Sequence, residues 1–392
     1  MERVVIVDGA RTPVGGFGGS LKDVPAHELG AIAVGAAIER AGVVGHNVDE
    51  VIMGCVGQVG KDAYNARRVA IAAGLPIDTP ALNVNRLCGS GLQAVWSAAM
   101  QIAWGESQLI VAGGNESMSR LPFLDENARD GYRLADRVLL DGTRAVLTDP
   151  WTNSLMGVTA EAVATRFGIS RAAQDEFAIE SQRRAATDAA RAAFAEEITP
   201  VEVGGRRPHI VDVDEHPRPD TTLEKLGTLR PAFAEDGTVT AGNSSGINDG
   251  AAALVVTSEG YAKEHGLRPL AAIDSVSTAA LEPEIMGYAP TLALRKLFAK
   301  TGRSAANVDV VELNEAFASQ ALAVIRDADL DPEKTNPYGG AIALGHPVGA
   351  TGAILTVRAI KDLVRRDLQS AIVTLCIGGG QGLAMLLSRY ED

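Results

Sequence analysis

The sequence predicts an α/β protein made of two similar halves, with a helical segment inserted into the first. Three observations lead there. Short β-branched apolar runs alternate with amphipathic helical stretches at both ends of the chain, the mark of strands buried on both faces between helices. Between residues 119 and 245 the texture becomes charged and helical, with few strand signals. Finally, two segments reappear in altered form about 261 positions later: CGSGLQAVWSAAMQIA with LIVAGG, then GATGAILTVRAI with AIVTLCIGGG. One match is weak; two at nearly one offset indicate a duplicated unit.

In order, Val4 to Val7 reads as a strand, Ala26 to Ala41 as a helix, and Val51 to Met53 and Ala81 to Val84 as strands. Gly91 to Trp104 reads as a helix and Leu109 to Ala112 as a strand. The inserted stretch carries one long amphipathic run, Arg171 to Glu197, and closes in a segment with Pro208, Pro217, Pro219 and Pro231. Ala251 to Thr257 returns to buried-strand character. Alternation resumes at Leu270, with strands at Val308 to Glu312, Ala371 to Cys376 and Gly382 to Leu387. Helices are predicted at Ala316 to Ile325 and Ala350 to Asp362. The expected division is 1–118 with 246–262 as the N-terminal core half, 119–245 as the insert, and 263–392 as the C-terminal half.

At 392 residues with 46 % hydrophobic content, the chain can bury two or three packed units. A net charge of −13 argues against nucleic acid, whose phosphates require clustered Lys and Arg, but leaves room for a small anionic ligand. Only Cys55, Cys88 and Cys376 occur, with no CxxC pair, so neither a disulfide framework nor a cysteine metal site is implied. The N-terminus enters a strand directly, without a signal-like segment. No apolar run approaches the roughly 18 residues that cross a bilayer, and the C-terminal residues form no peroxisomal address. A cytoplasmic protein without membrane insertion is expected.

Four segments carry chemistry. Cys88 ends a strand-to-helix turn followed by Gly89-Ser90-Gly91. A thiol there meets helix N-terminal N–H groups that favour thiolate, although a buried structural cysteine in a tight turn gives the same pattern. His346 lies in the rigid turn Gly345 to Gly349, suited to holding a base in one orientation, or to a surface histidine near an N-cap. Cys376 precedes Gly378-Gly379-Gly380, whose bare N–H groups suit an oxyanion hole or a phosphate cradle. No complete GxGxxG or P-loop pattern supports nucleotide binding. Asn314, in Asn314-Glu315-Ala316-Phe317-Ala318, could be an N-cap or could hold a polarising water.

Together the CGSG, NEAFA, GHPVGATG and CIGGGQG blocks resemble the thiolase family, as do the segment Ala241 to Ala253 and the opening Arg11-Thr12-Pro13. The resemblance spans essentially the whole chain. It implies the duplicated thiolase fold, two five-stranded α/β halves with an inserted loop domain, assembled as dimers or pairs of dimers. It also implies Cys88 as the acylated nucleophile, His346 as its base and Cys376 as the acid/base for the α-proton of acetyl-CoA. Asn314 with His346 would form one oxyanion hole, and the N–H groups of Cys88 and Gly378 the other. Ser245 and Arg218 match positions that touch coenzyme A, and Met156 and Phe317 positions that line the acyl pocket. Coenzyme A and acyl-CoA enter as substrates; no resident cofactor or metal is implied.

The nearest rival is a condensing enzyme of fatty-acid or polyketide synthesis, which lacks a second catalytic cysteine, so Cys376 discriminates against it. A non-catalytic acyl-CoA-binding protein would need neither both cysteines nor the histidine. Two departures from the family pattern are Gln381 for methionine and Leu155 beside Met156, where acetoacetyl-specific members often carry histidine. The latter points to broad or medium chain length instead of a dedicated acetoacetyl-CoA enzyme.

Overall fold

The computed structural model describes residues 2–134 and 136–391; Met1, Ala135 and Asp392, all within the expected domain ranges, lie outside the described residues. The first half runs β1 (Val4–Arg11), α1 (Ala26–Ala41), β2 (Glu50–Gly54), α2 (Asn65–Ala72), β3 (Ala81–Val84), α3 (Ser90–Trp104) and β4 (Leu109–Ser117). The inserted stretch holds α4 (Met156–Phe167), α5 (Arg171–Ala185) and α6 (Asp188–Glu197). The chain then returns through β5 (Asn248–Ser258). The second half runs β6 (Ala271–Ala280), α7 (Ala289–Thr301), β7 (Val310–Leu313), α8 (Ala318–Asp327), α9 (Thr351–Arg365), β8 (Ser370–Ile377) and β9 (Gln381–Arg389).

The strands lie in the order β7-β8-β9-β6-β1-β5-β4-β2-β3. Outward from the joint, the first half reads β1-β5-β4-β2-β3 and the second β6-β9-β8-β7. Each half makes two antiparallel pairings next to the joint and then a parallel one. The fifth place in the second half is filled by the segment around Thr335, which pairs in parallel with Val311. The N–H of Val311 bonds the Lys334 carbonyl and that of Asn336 the Val311 carbonyl, both at 2.9 Å. The two halves therefore share strand order and sense, as the sequence duplication predicts. Within the sheet, β1 and β6 pair through Val5 with Ala272 and Ile6 with Ala271.

Three apolar clusters define the layers. α3 and α9 are buried between the half-sheets in one cluster; α1 and α2 cover the outer face of the first, and α7 and α8 that of the second. The small residues opening α3 and α9 have a steric cause. A Cβ on Gly91 would sit 2.8 Å from the Ala353 nitrogen, and one on Gly352 only 2.4 Å from that of Leu92. The helices cross backbone to backbone at these paired positions.

Several expectations are corrected. The run Arg171 to Glu197 is two helices, because Thr187 turns extended and its hydroxyl caps the second by accepting from the Ala190 N–H at 3.1 Å. The helix expected from Ala316 starts at Ala318, since Phe317 is extended with φ −148°. The inserted stretch also contains two small strand pairs, Phe123–Leu124 with Leu140–Asp141 and Val201–Val203 with His209–Val211. β6 was not singled out; its polar Asp274, Ser275 and Ser277 hide the apolar alternation.

The insert is fastened to the core by charge. Arg11, at the end of β1, donates from Nε to Glu197 at 2.8 Å and from both terminal nitrogens to Asp214 at 2.7 and 2.9 Å. Arg11 and Glu197 are wholly buried and Asp214 nearly so. Removing one member of such a group strands the others in a dry interior. Arg11→Ala is therefore expected to lower unfolding free energy by about 3–5 kcal/mol in denaturant titrations. Arg11→Lys, which keeps the charge but not the planar fork, should lose less.

Candidate active site

One cavity of about 780 Å³ receives most of the segments singled out above: Cys88, Met156, Arg218, Ser245, Phe317, His346, Cys376 and Gly378 all line it. Asn314 stands just behind, its Nδ2 3.4 Å from His346 Nε2.

Cys88 sits two residues before α3, in a turn that passes through Leu87 at φ +47°. A bulky residue in the left-handed region costs of order 1–3 kcal/mol unless its surroundings impose it. Ser90 does so. Its N–H and hydroxyl both donate to the Leu87 carbonyl, at 2.9 and 2.6 Å, while Oγ accepts the Arg86 N–H at 2.9 Å. Burial pushes the Cys88 thiol up to about 11, opposed by the N–H groups of Gly378 and of Cys88 itself. Desolvation thus outweighs the N–H groups, which act in the expected direction but offset it only partly.

His346 is buried, not a surface residue. Its Nδ1 lies 2.6 Å from Thr351 Oγ1, and that hydroxyl donates its own proton to the Pro347 carbonyl at 2.9 Å. Thr351 must therefore accept from Nδ1–H, which leaves Nε2 unprotonated toward the cavity. Burial lowers the imidazole to about 4. Burial thus favours the neutral form of both the Cys88 thiol and the His346 imidazole.

Asn314 does not cap α8, whose N-cap is Phe317. Its N–H is held by the Thr374 carbonyl at 3.0 Å, while its buried Oδ1 has no hydrogen-bond partner. Cys376, at the end of β8, is fully buried against Met156, Phe233, Met286 and Phe317. Burial raises its thiol well above the ordinary value, and a thiolate on Cys88 pushes it the same way. The following turn requires glycine, because Gly379 and Gly380 both have φ +80°. Met156 reaches over Gly378, its Cε lying 3.3 Å from where a Cβ would stand there. Phe317 meets Phe233 edge-on, centroids 6.1 Å apart.

The sequence reading missed Thr351, Asn248, Glu116, Met286 and Phe233. Thr351 was visible inside the GHPVGATG block, five residues from His346. Asn248 lay inside the segment Ala241 to Ala253 that carries the family resemblance; the remaining three act across long separations and left no local signal. Glu116 is fully buried; it accepts the N–H groups of Val56, Gly57 and Gly349 at 2.9 to 3.0 Å and ties the His346 loop to the β2 side. Burial lifts its carboxyl to about 7.

Comparison with known proteins agrees with this geometry. Residues 4–260 match the family described as Thiolase, N-terminal domain, and residues 267–389 match Thiolase, C-terminal domain. The beta-ketothiolase BktB of Cupriavidus necator is 48 % identical over 391 residues, covering 99 % of both chains. The Bacillus anthracis acetyl-CoA acetyltransferase structure superposes with TM-score 0.98 at 45 % identity, covering 100 % of this chain and 99 % of that one. The human mitochondrial 3-ketoacyl-CoA thiolase in complex with CoA gives 0.96 at 43 % identity, covering 100 % and 98 %. The chain belongs to the thiolase family. It is an acyltransferase that cleaves 3-oxoacyl thioesters and catalyses the reverse condensation.

A neutral resting pair has a measurable signature. Alkylation draws on thiolate, whether standing at equilibrium or formed as His346 takes the proton, and the standing fraction grows tenfold per pH unit below the pKa. Iodoacetamide modification of Cys88 is expected to keep accelerating through about pH 9 toward the value near 11. A plateau below about pH 8 would reveal a resting thiolate–imidazolium pair instead.

Proposed function

We propose that the reaction runs through an acyl group on Cys88, with His346 and Cys376 dividing the proton transfers. The observation that carries this reading is the convergence of the Cys88 and Cys376 thiols, the His346 imidazole and the Gly378 N–H in a single cavity. In thiolysis, His346 Nε2 takes the Cys88 proton as Sγ attacks the 3-oxo carbon. The C2–C3 bond breaks, its electron pair passing to C2 as the enolate of acetyl-CoA, and the Cys376 thiol protonates C2. A second coenzyme A then attacks the acyl-Cys88 thioester, its proton passing to the Cys376 thiolate. Cys88 leaves and regains its proton from His346. Condensation is the reverse.

Oxyanions form at both carbonyls and need donors. The Cys88 and Gly378 N–H groups suit the acyl-cysteine oxygen. Asn314 suits the enolate oxygen, together with His346 once Nε2 is protonated, and its unpartnered Oδ1 could hold an intervening water. Arg218 and Ser245, at the cavity wall, suit the nucleotide and pantetheine parts of coenzyme A. The human relative was solved with CoA.

We propose the division 1–118 with 246–262, 119–245, and 263–392; the side-by-side pairing of β4 and β5 across the insert supports it. A homo-oligomer, dimer or dimer of dimers, is supported by the open outer edge of β3 and by exposed Tyr64, Ile77, Leu82 and Trp104 nearby in sequence. Among the described residues no helix is long and apolar enough to cross a membrane, in keeping with a cytoplasmic enzyme.

The division of labour is testable. After incubation with acetyl-CoA, peptide mapping should place the acetyl group on Cys88, and label on Cys55 or Cys376 would contradict it. Cys376→Ser should still be acetylated but lose roughly 10²–10⁴-fold in carbon–carbon bond formation. Near-normal condensation by that variant would refute its role.

Chain length follows from the apolar lining. Leu155, Met156, Phe233, Met286 and Phe317 present no charged group to the acyl chain. Each added CH₂ buried there contributes about 0.8 kcal/mol, roughly fourfold in affinity. We expect kcat/KM for thiolysis to hold or rise from acetoacetyl-CoA to 3-oxohexanoyl- and 3-oxooctanoyl-CoA. A sharp fall with the first two carbons would show that Met156 and Phe317 close the pocket to longer chains.

A further inference from the structure

We infer that His216 and Asn248 are positioning residues that hold the backbone of His346, linking the coenzyme A side of the cavity to the orientation of the base. Asn248 is completely buried at the start of β5. Its Oδ1 accepts the His346 N–H at 2.8 Å, and its Nδ2 donates to the Gly15 carbonyl at 2.9 Å. The remaining hydrogen of Nδ2 faces His216 Nδ1 at 3.4 Å. The amide can be placed only this way round, because His346 N–H is a donor and the Gly15 carbonyl an acceptor.

Two glycines make room for the chain of contacts. Gly345 has φ +95°, and a Cβ there would lie 2.6 Å from Asn248 Cγ. A Cβ on Gly246 would lie 2.3 Å from His216 Cε1 and 2.8 Å from Asn248 Oδ1. The amide is thus wedged between the His346 loop and the His216 ring, and neither backbone can shift without moving it.

For Nδ1 to accept from Asn248, the His216 ring must be neutral with its proton on the other nitrogen. Burial holds it below the usual imidazole value, and Arg218 pushes the same way against Glu215 and Asp214. The backbone of Ile342 also bonds the ring and favours its proton. His216 lines the cavity two residues from Arg218. A displacement of this segment is therefore passed through one amide to the loop that carries the base.

The inference rests on His346 acting as the base for Cys88, so the test separates the two. Alkylation of Cys88 by iodoacetamide near pH 8 is read without coenzyme A, alongside KM for CoA and the melting temperature. His346→Ala is expected to be slow; if it reacts at the wild-type rate, both readings fall. Asn248→Ala and His216→Ala are expected to react about tenfold slower, since small misplacements of a base are costly. His216→Asn, whose Oδ1 stands close to the Nδ1 position, should restore most of the rate. If His346→Ala is slow while Asn248→Ala and His216→Ala react normally, the positioning role is overturned and the base assignment survives. A rise in KM for CoA in His216→Ala with unchanged alkylation overturns it equally, showing a mouth contact only. Should His216→Ala not fold, Asn248→Ala and His216→Asn carry the test, and alkylation of Asn248→Ala at the wild-type rate overturns it.

Discussion

α3 and α9 can touch only because Gly91 and Gly352 carry no side chain where the two backbones meet. That contact fixes more than the core. Cys88 lies just ahead of one helix and His346 just ahead of the other, so the separation of the two crossing helices sets the separation of thiol and imidazole. Elsewhere a lost methylene is absorbed by partial relaxation. Here an added methyl would push apart two main chains packed between two sheets, and the site would open with them.

The second constraint is dryness. The two cysteines and His346 are all shifted toward their neutral forms, with burial as the leading cause. A wet site would stabilise charges at rest and leave less to gain when they form. In this cavity the donors are already fixed by β-turn and strand geometry, so charge developing on an oxygen meets oriented N–H groups without reorganisation. Glu116 fits the same pattern. It is a buried carboxyl whose three backbone donors stitch separate loops together.

Much of this was legible in the sequence, and for a local reason. Helix α1 and strand β3 were delimited to the residue, because Pro25 and Gly42 bracket the first and a short largely apolar run after Pro80 marks the second. The motif blocks around Cys88, His346 and Cys376 were visible because each is a turn whose glycines or prolines lie close together in the chain, and the NEAFA block at Asn314 because its residues are consecutive. What stayed hidden depends on partners far away. Asn248 gives no sign of bonding a residue 98 positions on, and His216 sits in a proline-rich stretch that looks like plain loop. The sign of the Cys88 shift was also out of reach, since a helix terminus is readable from spacing while desolvation needs the folded volume around the sulfur.

The duplication itself has a chemical consequence. Gly349 occupies in the second half the place that Cys88 occupies in the first, at the repeat offset of about 261. A Cβ at Gly349 would fall 2.5 Å from Glu116 Oε2, so that corner is already filled by a carboxylate from the other half. Only the first repeat therefore presents a thiol at this position; in the second, a glycine makes room for the Glu116 carboxyl instead. The repeat is matched in backbone but not in the chemistry that its equivalent positions can offer.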